Sequence, residues 1–241
     1  SEREALCRDF DDAGIRYMFM KGLVIRNYYP QSFMRQMSDN DILYGVEKRD
    51  ELFEVMKKNG FYLSVFQPAS DDFFKAPYVL MEMHKTLFND NCEVKLDLDL
   101  WKRAIKCEGN NSRYNMSPDD NYIYSLAHMC KHYSGGGCGI RFVCDMYLLH
   151  YSNDNLDFEY INSQFKKFGL YEFYQKVMRL VEAIFNDAEY NDEDLQLLNE
   201  VFAGGVYGVI KSLDETIEES GGKFKYLFRK IFPKKEFMYR N

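Results

Sequence analysis

The stretch Ser38-Asp39-Asn40-Asp41-Ile42-Leu43-Tyr44 constrains the fold of this chain more than any other. It reads as a β-strand whose head carries two carboxylates at alternate positions. In an extended strand residues i and i+2 point to one face. Asp39 and Asp41 therefore project side by side, and Ile42 and Leu43 bury the strand's far end. Two carboxylates so placed do not easily both ionise without a cation between them. Mg²⁺, or Mn²⁺ in its place, suits such a pair, because Mg²⁺ is a hard ion often held by one or two carboxylates plus substrate phosphates. The functional reading is a metal clamp for phosphate transfer. The plainer reading is a polar turn leading into a strand, and a lone D-x-D does not choose between them.

The flanking sequence supplies a context. Residues 2–13 have helical spacing and Gly14 is a C′ stop. Residues 15–20 read as a buried strand ending at Lys21-Gly22, followed by a short helix that stops at Pro30. Residues 47–58 form an amphipathic helix closed by Asn59-Gly60, and strands are expected at 61–66, 77–88 and 92–100. In the strand at 77–88, Val79, Met81 and Met83 take one face, and Leu80, Glu82 and His84 take the other. After about residue 106 the character changes. Asn110-Asn111-Ser112 is loop-like, and Ser117-Pro118-Asp119-Asp120 announces a helix, with Ser117 as N-cap and acids at the positive end of the helix dipole. Helices are expected at 117–133, 140–151, 157–168, 170–186, 192–203 and 206–219. The division is an α/β unit over residues 1–106 and a helical unit over 107–241.

The chain's 241 residues and net charge of −7 suit one large domain or two small ones. An acidic chain is a poor default partner for nucleic acid, whose affinity rests on Lys and Arg. The exception is the basic, aromatic tail from Lys223 to Arg240, which fits an RNA or anionic membrane surface, or docks on the acidic stretch from Asp187 to Glu200. No apolar run approaches the roughly 18–20 residues that cross a bilayer, and Ser1-Glu2-Arg3-Glu4 does not read as a signal peptide. Cys7, Cys92, Cys107, Cys130, Cys138 and Cys144 form no C-x-x-C pair and no disulfide ladder. The expectation is a reduced, cytoplasmic protein.

Other side chains offer chemistry with alternatives left open. His128 and His132 share a helix face at i, i+4, which suits zinc, a substrate cleft, or simple hydrogen bonding. His84 shares a strand face with Glu82 and either touches a reacting phosphate or satisfies a buried contact. Arg35, just before the acidic pair, can bind phosphate in bidentate fashion. Arg141 and Asp145 have i, i+4 spacing and are expected to pair. The glycine run 135–139 leads into a helix whose N-terminus suits an anion, or is only a flexible connection.

Strand–Gly–helix–strand with D-x-D–strand with Glu resembles the nucleotidyltransferase superfamily, which includes polymerase-beta-like and kanamycin-type enzymes. More closely, the chain resembles a bacterial family of uncharacterised nucleotidyltransferases. The resemblance rests on Gly14-Ile15 with Met20-Lys21-Gly22, on Tyr28-Tyr29-Pro30, on Arg35 with Ser38 to Leu43, and on Met81-Glu82-Met83-His84. It continues through Ala127 to His132, the glycine run with Gly139-Ile140-Arg141, Asp145, and Leu227-Phe228 to Phe232-Pro233.

The resemblance implies an α+β fold, a mixed sheet with flanking helices followed by an all-helical region. It implies that Asp39 and Asp41 bind metal, that Glu82 is a third acid serving as general base, and that Gly22 lets a triphosphate approach the backbone. It also implies nucleoside monophosphate transfer from a nucleoside triphosphate to an unknown acceptor hydroxyl, with two-metal assistance. Two departures stand out. Lys21-Gly22-Leu23 replaces the usual Gly-Ser or Gly-Gly, so the phosphate-gripping serine is missing and Lys21 supplies charge instead. Asn40 stands between the acids where an apolar residue is usual. A non-catalytic nucleotide-sensing or partner-binding module, or a phosphotransferase, fits the same residues.

Overall fold

A computed structural model describes residues 2–88, 94, 96–134 and 137–203. In chain order these form α1 (Glu2–Asp12), β1 (Tyr17–Phe19), α2 (Gly22–Ile25), β2 (Asn40–Tyr44), α3 (Arg49–Lys58), β3 (Tyr62–Phe66), β4 (Ser70–Lys75), β5 (Val79–His84), β6 (Ile105–Lys106) and β7 (Arg113–Asn115). Helices α4 (Pro118–Ser134), α5 (Ile140–Tyr151), α6 (Phe158–Lys167), α7 (Tyr171–Phe185) and α8 (Asp192–Ala203) follow. The strands make one mixed sheet in the order β3-β4-β5-β2-β1-β7-β6. This is the expected α+β class, a mixed sheet with flanking helices and then helices alone. The sheet takes β7 from beyond residue 106. The expected helix at 206–219 and the basic tail at 223–240 lie outside the described residues.

Local chemistry sets the element ends. Gly14, at φ +64°, closes α1: its N–H donates to the Asp11 carbonyl and the Ile15 N–H to the Phe10 carbonyl. This left-handed cap satisfies the last carbonyls and is natural to glycine. Gly60 ends α3 the same way, with its own N–H on the Lys57 carbonyl and that of Phe61 on the Met56 carbonyl. At the start of α4 the Ser117 hydroxyl accepts from the Asp120 N–H at 3.2 Å, as the sequence predicts.

The central strands of the sheet are covered on both faces. Leu6 and Phe10 of α1 and Leu52, Val55 and Met56 of α3 cover one, meeting Tyr17, Ile42, Tyr44, Met81 and Met83. On the other, Met18, Met20 and Leu43 pack with Leu100, Met116 and Tyr124. Tyr124 belongs to α4, so α4 ties the sheet to a third cluster built by α4 to α8 around Leu126, Phe142, Phe165, Leu180 and Val201.

Three strands escape sequence reading. β4 carries Asp71 and Asp72, which read as loop; Asp71 is fully buried because Arg49 (3.1 and 3.2 Å) and Lys85 (3.1 Å) bind its carboxylate. β6 and β7 are two and three residues long, too short to show a period. Conversely, the strand expected at 92–100 is absent among its described residues, 94 and 96–100. Leu96, Leu98 and Leu100 do alternate inward there, packing on the helical and sheet clusters. The period-2 pattern reports side-chain direction, not a hydrogen-bonded neighbour.

A buried ion pair joins the two parts of the fold. Arg35 Nε donates to Asp145 Oδ1 at 2.8 Å and Nη2 to Oδ2 at 2.8 Å, with side-chain exposures of 6% and 4%. Arg35 Nη1 donates to the Gln36 carbonyl and Tyr29 Oη to Asp145 Oδ1, each at 2.7 Å. The sequence pairs Asp145 with Arg141; in the structure Arg35, 110 residues away, takes this carboxylate with a bidentate fork that i, i+4 helix geometry does not offer. Removing one partner strands a buried charge, so Asp145→Asn should lower unfolding free energy by about 3–5 kcal/mol. Arg35→Met with Asp145→Leu should recover much of that loss. Urea denaturation of the three chains measures both.

Candidate active site

The parallel pairing of β2 with β5 sets Asp41 opposite Glu82 and Leu43 opposite His84. Residues paired this way share a face, so Asp41, Glu82 and His84 project together. Their ligand atoms lie within 4.8 Å of one another, two carboxylate oxygens and an imidazole nitrogen. His84 Nε2 is 2.9 Å from Asp41 Oδ1 and 3.4 Å from Glu82 Oε1. It faces carboxylates, so it carries a proton and donates. Nδ1 of the same ring is buried with no hydrogen-bond partner.

Lys21 enters from the turn between β1 and α2. Its Nζ donates to Asp41 Oδ1 at 2.6 Å and lies 3.8 Å from Glu82 Oε2. The Lys21 backbone sits at φ 49°, ψ −128°, a conformation natural to glycine and costly for a side-chain-bearing residue by about 1–3 kcal/mol. A Cβ at Gly22 would meet Met37 Cγ and Sδ at 2.7 Å, so a side chain there requires Met37 to move.

These charges tune one another. Burial alone would push Glu82 up, but the His84 hydrogen bond and charge, with Lys21, hold its carboxyl well below the usual range. Burial likewise opposes the charged forms of His84 and Lys21. Hydrogen bonds to Asp41 and Glu82 nevertheless raise His84, and the carboxylates of Asp41 and Glu82 raise Lys21. Asp39 precedes β2 and stands outside the three-residue group. Burial raises its carboxyl, and so does the neighbouring Asp41 carboxylate. Two carboxylates thus share one face with one ammonium and one imidazole, and Asp39 lies near enough to feel their charge; such oxygen donors fit a divalent cation.

The helical part closes over this face. Lys21, Ile25 and Arg35 line a small cavity with Tyr124, Ser125 and His128 of α4 and Phe142, Asp145 and Met146 of α5. Arg35, read from sequence as a phosphate ligand, is engaged by Asp145. His128 faces the cavity, and His132 Nε2 lies 3.1 Å from His128 Nε2. Among the described residues, the group of three or more metal-ligating side chains is Asp41, Glu82 and His84; the two helix histidines are joined to each other.

Tyr124 is a site residue that sequence reading missed. Its hydroxyl is buried without a partner, and it lines the same cavity as Lys21. The signal lay in spacing: Tyr124, His128 and His132 form one i, i+4, i+8 stripe. The glycine run's Gly135 and Gly136 lie outside the described residues, and Gly139 caps α5 without a side chain.

The profile of a family described as uncharacterised nucleotidyltransferase matches residues 1–186. Among curated proteins none matches the chain in sequence. A crystal structure of ANT(2″)-Ia in complex with adenylyl-2″-tobramycin is similar in fold, at 12% identity over 71% of this chain and 96% of that one, with a TM-score of 0.51. The solution structure of the antibiotic-resistance factor ANT(2″)-Ia matches at 11% identity over 78% and 96%, TM-score 0.47. Lincomycin-bound lincosamide antibiotic adenylyltransferase LnuA matches at 15% over 63% and 96%, TM-score 0.44.

The helix histidines make a stability prediction. Burial first, then neighbouring positive charge, drives His128 well below its usual pKa and His132 down to about 4. A base depressed in the folded state contributes fully above its unfolded value, near 6.5, and that contribution is lost as pH falls toward about 4. His84 is raised and works oppositely, favouring the fold below that value. His132→Gln should therefore lose less melting temperature than the wild type between pH 6.5 and pH 4. Equal slopes by circular dichroism would exclude the histidine contribution.

Proposed function

We propose, from the premise that the chain belongs to the uncharacterised nucleotidyltransferase family, that it transfers a nucleoside monophosphate from a nucleoside triphosphate to an acceptor hydroxyl. The observation that carries this reading is the register of β2 with β5, which brings Asp41 beside Glu82 on one face. Asp39 and Asp41 would hold Mg²⁺ or Mn²⁺ together with the triphosphate. When bound, such an ion would neutralise the charge that develops on the transferring phosphate.

Each residue has a role in the reaction. The acceptor oxygen bonds to the α-phosphorus as the bond to pyrophosphate breaks, and the hydroxyl proton passes to Glu82. His84 and Lys21 keep Glu82 ionised, hence always ready to accept that hydrogen bond. The same depression makes it a weak base, so it orients the hydroxyl as much as it deprotonates it. Lys21 supplies positive charge where a serine would otherwise grip phosphate. Arg35, held by Asp145, steadies the entry to β2 and lines the seam cavity with Lys21. His128 and Tyr124 present a neutral wall from α4, and the helical residues shape the acceptor side.

A second reading is a nucleotide-sensing or partner-binding member of the same fold. It is favoured by the Lys21 ammonium lying 2.6 Å from Asp41. A bound triphosphate that stays intact across a broad acceptor panel would establish it. Release of nucleoside diphosphate instead of pyrophosphate would mark a phosphotransferase.

The test is thermal stability against four nucleoside triphosphates, with and without Mg²⁺. One triphosphate should stabilise the wild type in a Mg²⁺-dependent way, by about 2.7 kcal/mol at a hundredfold excess over its dissociation constant. Asp39→Asn and Asp41→Asn should abolish the rise while remaining folded. Glu82→Gln should keep it and slow pyrophosphate release about 10²–10⁴-fold. Unchanged stabilisation in both aspartate variants would refute the site.

A further inference from the structure

We infer that the Lys21 ammonium occupies one of the two cation positions of the acidic cluster, so that the site takes a single exchangeable divalent ion. The inference rests on the nucleotidyltransferase reading and deepens it. Asp41 and Glu82 on one face, with Asp39 close enough to feel their charge, call for more than one positive charge. A site with two divalent ions meets that need with two solutes; here the Lys21 ammonium, with the His84 ring beside it, is covalently attached. Lys21 Nζ bridges Asp41, at 2.6 Å, and Glu82, at 3.8 Å, the two carboxylates that the strand register brings together. An ion bridging the same two carboxylates would need metal–oxygen distances of about 2.0–2.1 Å, which puts it in the space the ammonium fills. Asp39 and the outer side of Asp41 remain for the exchangeable ion.

Two further observations separate this from an incidental surface lysine. The Lys21 side chain is 17% exposed, so its charge is held in place. Its backbone keeps a conformation natural to glycine (φ 49°), although a glycine follows directly at position 22. A strained residue persists where the surroundings over-determine it, and such residues cluster at functional sites. The strain here sets the direction in which the lysine stem leaves the β1–α2 turn, toward the carboxylates. His84 Nε2 lies 3.5 Å from the same ammonium and, facing the same two carboxylates, completes the enclosure.

The experiment counts protein-bound Mn²⁺, without nucleotide, by electron paramagnetic resonance on the full chain. It compares wild type, Lys21→Met and Lys21→Gly; the glycine variant accepts the backbone conformation and guards against a misfolded methionine variant. The expected result is one Mn²⁺ per chain in the wild type and two in either folded variant. Asp39→Asn in the wild-type background should remove the single ion. Two ions in the wild type would overturn the inference and leave the transferase reading standing, as would one ion in every chain. No Mn²⁺ in any chain would overturn the inference and leave the transferase reading, in which the ion is held together with the triphosphate, to the nucleotide titration.

Discussion

Two carboxylates on neighbouring parallel strands stay ionised together on one face only if positive charge lies between them. The pairing of Asp41 with Glu82 imposes that condition, and much of the surrounding structure answers it. The β1–α2 turn adopts a left-handed conformation to deliver Lys21. His84 turns its Nε2 inward and leaves Nδ1 without a partner. The sheet face beyond is sealed by Met18, Met20 and Leu43, so solvent does little to weaken the interactions among these charges.

The second organising contact is the Arg35–Asp145 pair. A buried ion pair contributes little net stability compared with apolar packing, but it is strict about geometry. Here it fixes where the loop before β2 meets α5. Tyr29 joins on the same carboxylate, at 2.7 Å, and Tyr28 reaches Asn153 nearby. The loop carrying the approach to Asp39 is thus positioned by the helices, and the acidic face and the helical part form one seam.

The sequence made part of this legible for definable reasons. Alternation placed Glu82 with His84, because a strand's period is a local property. Capping chemistry marked Gly14, Gly60 and Ser117 for the same reason. What escaped depends on partners distant in the chain. Lys21 and Asp41 are 20 residues apart, and their contact needs a backbone angle that a lysine does not advertise. Arg35 looked like a free guanidinium because Asp145 looked spoken for by its own helix. β4 was hidden by Asp71, whose burial makes sense only once Arg49 and Lys85 are folded around it. The leucines at 96, 98 and 100 misled in the other direction, since inward alternation needs a core to face, not a strand to pair with.

The left-handed turn at Lys21 has an evolutionary corollary. Glycine at that position would relax the backbone, so drift under selection for folding alone would carry the residue toward glycine. A lysine is kept only while its charge is worth more than the strain. The identity of this one residue therefore works as a marker across related chains: lysine records continued use of the tethered charge, and glycine records a lineage that has handed the task to a diffusible ion or abandoned it.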